Sequence, residues 1–135
     1  MLARPAYLYI LFAPTENGGT IWKIGITYRT PDERLNEIQA EGRKNKDCSQ
    51  YAQLYRSYKI SQPEKLEKRL HRYYAAKRYK GIKGSGGTEW FKMRYPFYAL
   101  FVSRARHLLE LFLYLLLCGA IIALIFHLIK TLCYG

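Results

Sequence analysis

Hydrophobic residues are distributed in two ways along this chain. Up to about residue 107 they come in short groups broken by charges and turn residues; beyond it they run on almost without interruption. Residues 6–13 and 21–28 are short, apolar and rich in β-branched and aromatic side chains. They are separated by residues 14–20, in which Asn17, Gly18 and Gly19 favour a turn, so an antiparallel hairpin is predicted. Next, Leu35, Ile38 and Ala40 recur at helical spacing. Thr30 stands as N-cap, Pro31 in the first helical position and Glu33 in the third, and the helix is predicted to stop near Gly42. Residues 51–60 alternate imperfectly, with Tyr51, Leu54, Tyr55, Tyr58 and Ile60 supplying a third strand. Ser61 then caps a second helix, marked by Leu66, Leu70, Tyr73 and Tyr74 and running to about Tyr79. The glycine-rich loop 81–88 reads as mobile, and Glu89, Trp90 and Phe91 resume ordered structure. This order predicts an α+β fold, a small three-stranded antiparallel sheet covered by helices.

The C-terminal run is different in kind. Residues 111–129, LFLYLLLCGAIIALIFHLI, contain no formal charge. A helix of that length rises about 28 Å, close to the roughly 30 Å hydrocarbon core of a bilayer. A buried core helix is the alternative, but in so small a domain it would show a polar stripe. The chain therefore divides into a folded domain over residues 1–93, a basic aromatic juxtamembrane segment over 94–107, a transmembrane helix over 108–130 and a short tail over 131–135. Glu110 and His127 stand near the two ends of the span, where both reach the headgroups. Lys92, Arg94, Arg104 and Arg106 precede the span and Lys130 alone follows it, which predicts a single-pass protein with its N-terminal domain in the cytoplasm. Residues 95–102, YPFYALFV, suit an interfacial segment at headgroup depth and equally a last strand or helix packed on the domain. The apolar run after Arg4 superficially resembles a signal peptide. It is short and leads into Pro14, Thr15 and Glu16 instead of a small-residue cleavage site, which assigns it to a strand.

Charge sharpens the functional picture. The chain holds 22 Lys and Arg against 10 Asp and Glu, a net charge of +12, and the residues before the span carry all of that excess. Such a domain draws polyanions, whether nucleic-acid phosphates or anionic headgroups, although basic surfaces also serve solubility. Cys48, Cys118 and Cys133 are odd in number, far apart and without CxxC spacing, so neither a disulfide framework nor a zinc site is expected, and a reducing compartment follows.

Five short stretches, YLYIL, WKIGIT, DERL, LEKRLH and TEWF, occur in that order. Together they resemble the GIY-YIG endonuclease superfamily, in the branch common in phage and bacterial proteins, over roughly residues 7–91. The family's first half-motif ends in a tyrosine, which falls on Tyr9; Tyr7, two residues earlier on the same face of a strand, is a reserve candidate. The second half-motif reads Lys23, Ile24, Gly25, with lysine where the family usually has tyrosine, a variant that related members of this branch share. A neighbouring ammonium would favour the Tyr9 phenolate, or Lys23 would itself transfer a proton if its pKa is lowered. Both tyrosines also fit a plain role as core aromatics.

By the same resemblance Arg34 stabilises charge on a phosphate, and Glu67 holds one divalent metal, Mg²⁺ or Mn²⁺. His71, four residues on along the same helix face, would reach the metal shell, the phosphate or the attacking water. A solvated Arg34 and a Glu67 paired with a nearby lysine are the bland alternatives. Glu89, Trp90 and Phe91 resemble the branch's terminal signature, Glu89 in a structural role and the aromatics packed over the sheet. Arg43, Lys44, Lys46, Lys77, Arg78, Lys80 and Lys83 then form a surface for the DNA backbone without sequence preference. The resemblance implies a membrane-anchored, metal-dependent DNA endonuclease hydrolysing phosphodiesters by in-line attack of water, and the membrane placement adds incoming phage or foreign DNA as its target. The alternatives are a catalytically inactive module that binds nucleic acid or protein at the membrane, and a protein whose charge serves anionic lipid. Expected partners are DNA, the bilayer through residues 108–130, and either a second copy of the chain or a membrane protein.

Overall fold

The computed structural model describes residues 6–84 and 89–135. Arg4, and residues 85–88 of the loop expected to be mobile, Thr88 of the TEWF stretch among them, lie outside the described residues.

The predicted hairpin is formed by β1 (Tyr7–Pro14) and β2 (Thr20–Thr27), with Tyr9 opposite Gly25 and Leu11 opposite Lys23. In its turn, the Thr15 N–H donates to the Gly19 carbonyl at 2.9 Å, and Gly18 takes φ +80°, a left-handed conformation that glycine adopts without a Cβ clash. The third strand, β3 (Gln53–Lys59), pairs antiparallel with the other side of β1. The sheet has four strands, not three: β4 (Trp90–Lys92) pairs with Ile21–Lys23, giving the order β3-β1-β2-β4. A strand of three residues is too short to display an alternating pattern.

Helix α1 (Pro31–Asn45) starts as predicted, the Thr30 hydroxyl accepting from the Glu33 N–H at 3.3 Å. It does not stop at Gly42. Gly42 is buried inside the last turn, where a Cβ would collide with the backbone of Gln50, so this glycine permits close packing and the helix ends at Lys46 in a left-handed conformation. Helix α2 (Pro63–Tyr73) is capped by Gln62 at φ 48°, not by Ser61, and gives way to a short 3-10 turn, Ala75–Lys77, before Tyr79. Ser61 fails as a cap because its N–H and hydroxyl both bond to the Glu110 carboxylate, at 3.1 and 2.7 Å.

Period-two alternation gives the sheet two covered faces. On one, Tyr9, Leu11, Ala13, Ile21 and Trp90 pack with Ala52 and with Ile38 of α1. On the other, Leu8, Ile10, Trp22, Ile24 and Phe91 pack with Leu66 and Leu70 of α2 and with Tyr74, Met93 and Ala99.

Helix α3 (Phe97–Tyr134) is 38 residues long and unbroken. Its first turns belong to the domain: Ala99 and Ser103 are fully buried, the Ala99 N–H donates to the Tyr74 hydroxyl at 3.0 Å, and the Tyr98 ring stacks on Tyr73 with centroids 4.1 Å apart. Farther along, His107 Nδ1 bonds the Lys59 carbonyl at 3.1 Å, and Arg106 Nε donates to Glu110 at 3.0 Å. The rest of the helix is exposed, with a mean hydropathy of 2.6 over its most apolar stretch, and it is long and apolar enough to cross a membrane.

Candidate active site

The hairpin, α1, α2 and the residue before β4 bring six candidate side chains together: Tyr9, Lys23, Arg34, Glu67, His71 and Glu89. Tyr9 points to the α1 side of the sheet and its ring lies across Gly25 on the neighbouring strand. A Cβ at Gly25 would sit 2.5 Å from the Tyr9 hydroxyl, so the glycine of the second half-motif makes room for the tyrosine of the first. Arg34 enters from the first turn of α1, its Nε donating to the Tyr9 hydroxyl at 3.4 Å and its Nη1 to Glu37 at 3.0 Å. Glu37 also pairs with Arg29, so the guanidinium of Arg34 is braced from behind.

Lys23 sits two pairs farther along the hairpin, opposite Leu11 and only 1% exposed, where its ammonium is paired with Glu89 at the foot of β4. An unpaired ammonium would not be tolerated at such depth. Glu67 arrives from α2. Because β4 pairs only with Ile21–Lys23, β2 has a free edge beyond it, and α2 lies along that edge. His71 Nε2 donates to the Ile24 carbonyl at 2.6 Å, and Glu67, one turn earlier on α2, faces the same stretch of β2. His71 thus stands 4.0 Å from Glu67, as their spacing predicts, with that ring nitrogen engaged by the backbone.

These groups set one another's proton affinities. Burial pushes the Tyr9 phenol up to about 12; the hydrogen bond and charge of Arg34 pull the other way and do not outweigh it. The phenol therefore keeps its proton at neutral pH, contrary to the expected phenolate, because desolvation exceeds the effect of the cations. Burial lowers the pKa of Lys23, with Glu89 opposing. Glu67 is raised to about 7, first by burial and then by the charge of Glu89, with Lys23 only partly offsetting them. A carboxylate so placed holds a proton about half the time at neutral pH and gives it up readily to a cation.

Among the described residues no group of three or more His, Cys, Asp and Glu forms a metal cage. The donor set still fits a Mg²⁺- or Mn²⁺-type ion, which takes one or two carboxylates and completes its shell with water and substrate phosphate. Glu67 offers hard oxygens and an under-compensated negative charge, the property such an ion relieves.

The other predicted residues lie outside this cluster. Tyr7 lies opposite Thr27 and Lys59, half-buried, and makes no side-chain hydrogen bond among the described residues. Arg43, Lys44, Lys46, Lys77, Arg78, Lys80 and Lys83 are exposed. The two basic stretches share one end of the domain because Asp47, just past α1, accepts from the Ser49 N–H at 3.0 Å and the Lys83 N–H at 3.3 Å, while the Tyr79 N–H donates to Trp90 at 2.8 Å. Sequence reasoning missed Glu37 and Asp47. Glu37 carries a usable signal, an acid three residues after Arg34 on a helix; Asp47 carries none.

Neither the curated proteins nor the solved structures contain a match to the chain. The T5orf172 domain model matches residues 6–111, the whole sheet, the clustered side chains and the part of α3 docked on them. Since that span takes in most of the sequence, the chain belongs to the T5orf172 domain family, a domain related to nucleases.

Proposed function

We propose that this protein is a metal-dependent DNA endonuclease of the GIY-YIG type, anchored in a membrane by α3 with its domain on the cytoplasmic side. The observation that carries the reading is the convergence of Tyr9, Lys23, Arg34 and Glu67 from β1, β2, α1 and α2 on one site, with Gly25 required by the ring of Tyr9. Glu67 would hold one Mg²⁺ or Mn²⁺, which when bound supplies positive charge to the scissile phosphate and the departing oxygen. Arg34, held in place by Glu37, neutralises the phosphate as negative charge builds on it. Tyr9, protonated and accepting from Arg34, uses its own O–H to orient the attacking water. Lys23 has a loosened proton and is the group suited to proton exchange with that water.

The basic end of the domain would hold the DNA backbone, and the excess of Lys and Arg before the span supports the cytoplasmic placement, where the domain would meet foreign DNA as it enters. Loss of phage exclusion on deleting the span, with the protein still expressed, is the expected outcome for that role.

The decisive experiment incubates the full chain in detergent with plasmid and linear DNA, in Mg²⁺, Mn²⁺ or chelator, beside Glu67→Ala and Arg34→Ala. Metal-dependent nicking lost in both variants, with binding retained, is expected. A second reading, a binding module without chemistry, is favoured by one observation: Lys23, in the place of the family's tyrosine, is almost wholly buried and ion-paired. Bound but intact DNA in every lane would establish it.

A further inference from the structure

Another constellation lies on the opposite side of the sheet from Tyr9, between β3 and the first turns of α3. Here Tyr55, Arg56, Tyr58, Tyr95, Phe101 and Arg104 are among the residues lining an open groove of about 360 Å³. Its formal charges are both positive, and among the described residues neither arginine has a carboxylate within 4 Å. The site is partly built. The Arg56 guanidinium lies 5.1 Å from the centroid of the Tyr55 ring while its Nη1 donates to the Tyr55 carbonyl at 3.0 Å, and the Tyr55 and Tyr95 hydroxyls are bonded at 2.7 Å. Phe97 and Phe101 beside it are 74% and 73% exposed, which leaves a bare apolar rim.

We propose that this groove binds the headgroup of an anionic phospholipid from the leaflet that α3 enters; the proposal rests on the reading of α3 as a membrane span. Continuous exposure of apolar side chains on α3 begins at Leu108, four residues and about 6 Å beyond Arg104. That is the depth of the headgroup layer, which adds roughly 5–7 Å to each side of the hydrocarbon core. The groove is held there, because Ser61 bonds Glu110 and the Lys59 carbonyl bonds His107, fixing β3 against the same turns of α3. Two guanidiniums match a lipid phosphate, and exposed phenyl rings match the boundary between headgroup and acyl chain. A DNA backbone would satisfy the arginines and leave the phenyl rings in water, and the basic stretches suited to DNA adjoin the other face of the sheet, where Cys48, Tyr79 and Ile82 pack.

The test is native mass spectrometry of the full chain released from neutral detergent, titrated with phosphatidylglycerol or phosphatidylcholine. One phosphatidylglycerol per chain is expected, held roughly tenfold or more tighter than phosphatidylcholine. Arg56→Gln with Arg104→Gln should abolish the preference, Arg56→Lys with Arg104→Lys should restore part of it, and the charge-matched control Lys68→Gln with Arg72→Gln should leave it unchanged. Equal binding of the two lipids, or a preference that survives Arg56→Gln with Arg104→Gln, overturns the proposal. So does a duplex that displaces phosphatidylglycerol and binds less tightly to that variant. Alkaline extraction of the chain from vesicles reads membrane insertion separately, so a failed span and a failed lipid site are distinguishable.

Discussion

One sheet carries two unlike interiors. Against α2 and the start of α3 it buries Leu8, Ile10, Trp22, Ile24 and Phe91, an apolar layer with an indole N–H bonded to the Met93 carbonyl. Against α1 it buries a lysine, a tyrosine that keeps its phenolic proton, and a glycine flattened under that tyrosine. The first face gains free energy from its apolar side chains, the Ser103 hydroxyl of α3 being buried there without a hydrogen bond among the described residues, whereas the second gives some up, since a buried ammonium is tolerated only through its carboxylate partner. The apolar side thus carries most of the stability, while the proposed chemistry gathers on the α1 side and is completed by Glu67 and His71, which α2 brings to the free edge of β2, so substitutions in the two groups should fail differently.

The largest effect on stability is expected from Leu70→Ala on the apolar side. Denaturant unfolding should show a loss of about 2–5 kcal/mol, while cleavage per folded molecule stays unchanged; a comparable loss of cleavage would blur the division of labour. Next comes Glu67. Its folded-state pKa of about 7 lies above the ordinary carboxylate value, so folding takes up a proton between the two. The contribution of Glu67 to stability should therefore be fully present below about pH 4.5, fall as pH rises toward about 7, and level off above it, while Glu37, whose pKa is lowered by its arginine partners, acts in the opposite sense at low pH. Glu67→Gln should flatten that profile in melts across pH, and Mg²⁺ should raise the melting temperature of the wild type chiefly above pH 7. Thr30→Ala, which removes the N-cap that starts α1, should cost about 1 kcal/mol and weaken cleavage through Arg34. The smallest change in stability, within about 1 kcal/mol, is expected for Lys23→Met, because Glu89 is 30% exposed and water can solvate it. The same variant should lower cleavage by about 10²–10⁴-fold, which makes it the sharpest separation of the two faces.

What could be read before the structure was whatever rests on local chemistry. The hairpin follows from two apolar runs around Asn17, Gly18 and Gly19, and the start of α1 from Thr30 and Pro31. Tyr9, Arg34 and Glu67 are singled out by the family resemblance of five short stretches in order, and the fold brings all three to one place. The features that escaped depend on partners distant in sequence. Glu89 finds Lys23 across 66 positions, and no local pattern connects them. Ser61 looks like a helix cap until Glu110, 49 residues away, takes both of its donors. Gly42 resembles a helix stop when the buried contact with Gln50 is out of view. Strand β4 is too short to announce itself and exists because β2 offers it an edge. Residues 95–102 were open between membrane surface and domain, and the burial of Ala99 and Ser103 places their helix on the domain.

The unbroken course of α3 has a consequence for how such a protein would choose its targets. A helix of 38 residues is about 57 Å long, and its first turns are stitched to the sheet through Tyr74, Lys59 and Ser61. On the proposed topology the catalytic groups cannot swing on a slack cord; they ride at one height and one tilt, drifting only sideways with the lipid. The search would then be two-dimensional, with DNA in the bulk of the cell out of reach. If the domain cuts DNA as proposed, selectivity would need no reading of bases: the address of the substrate, a thin layer against the bilayer, would distinguish what is cut from what is spared.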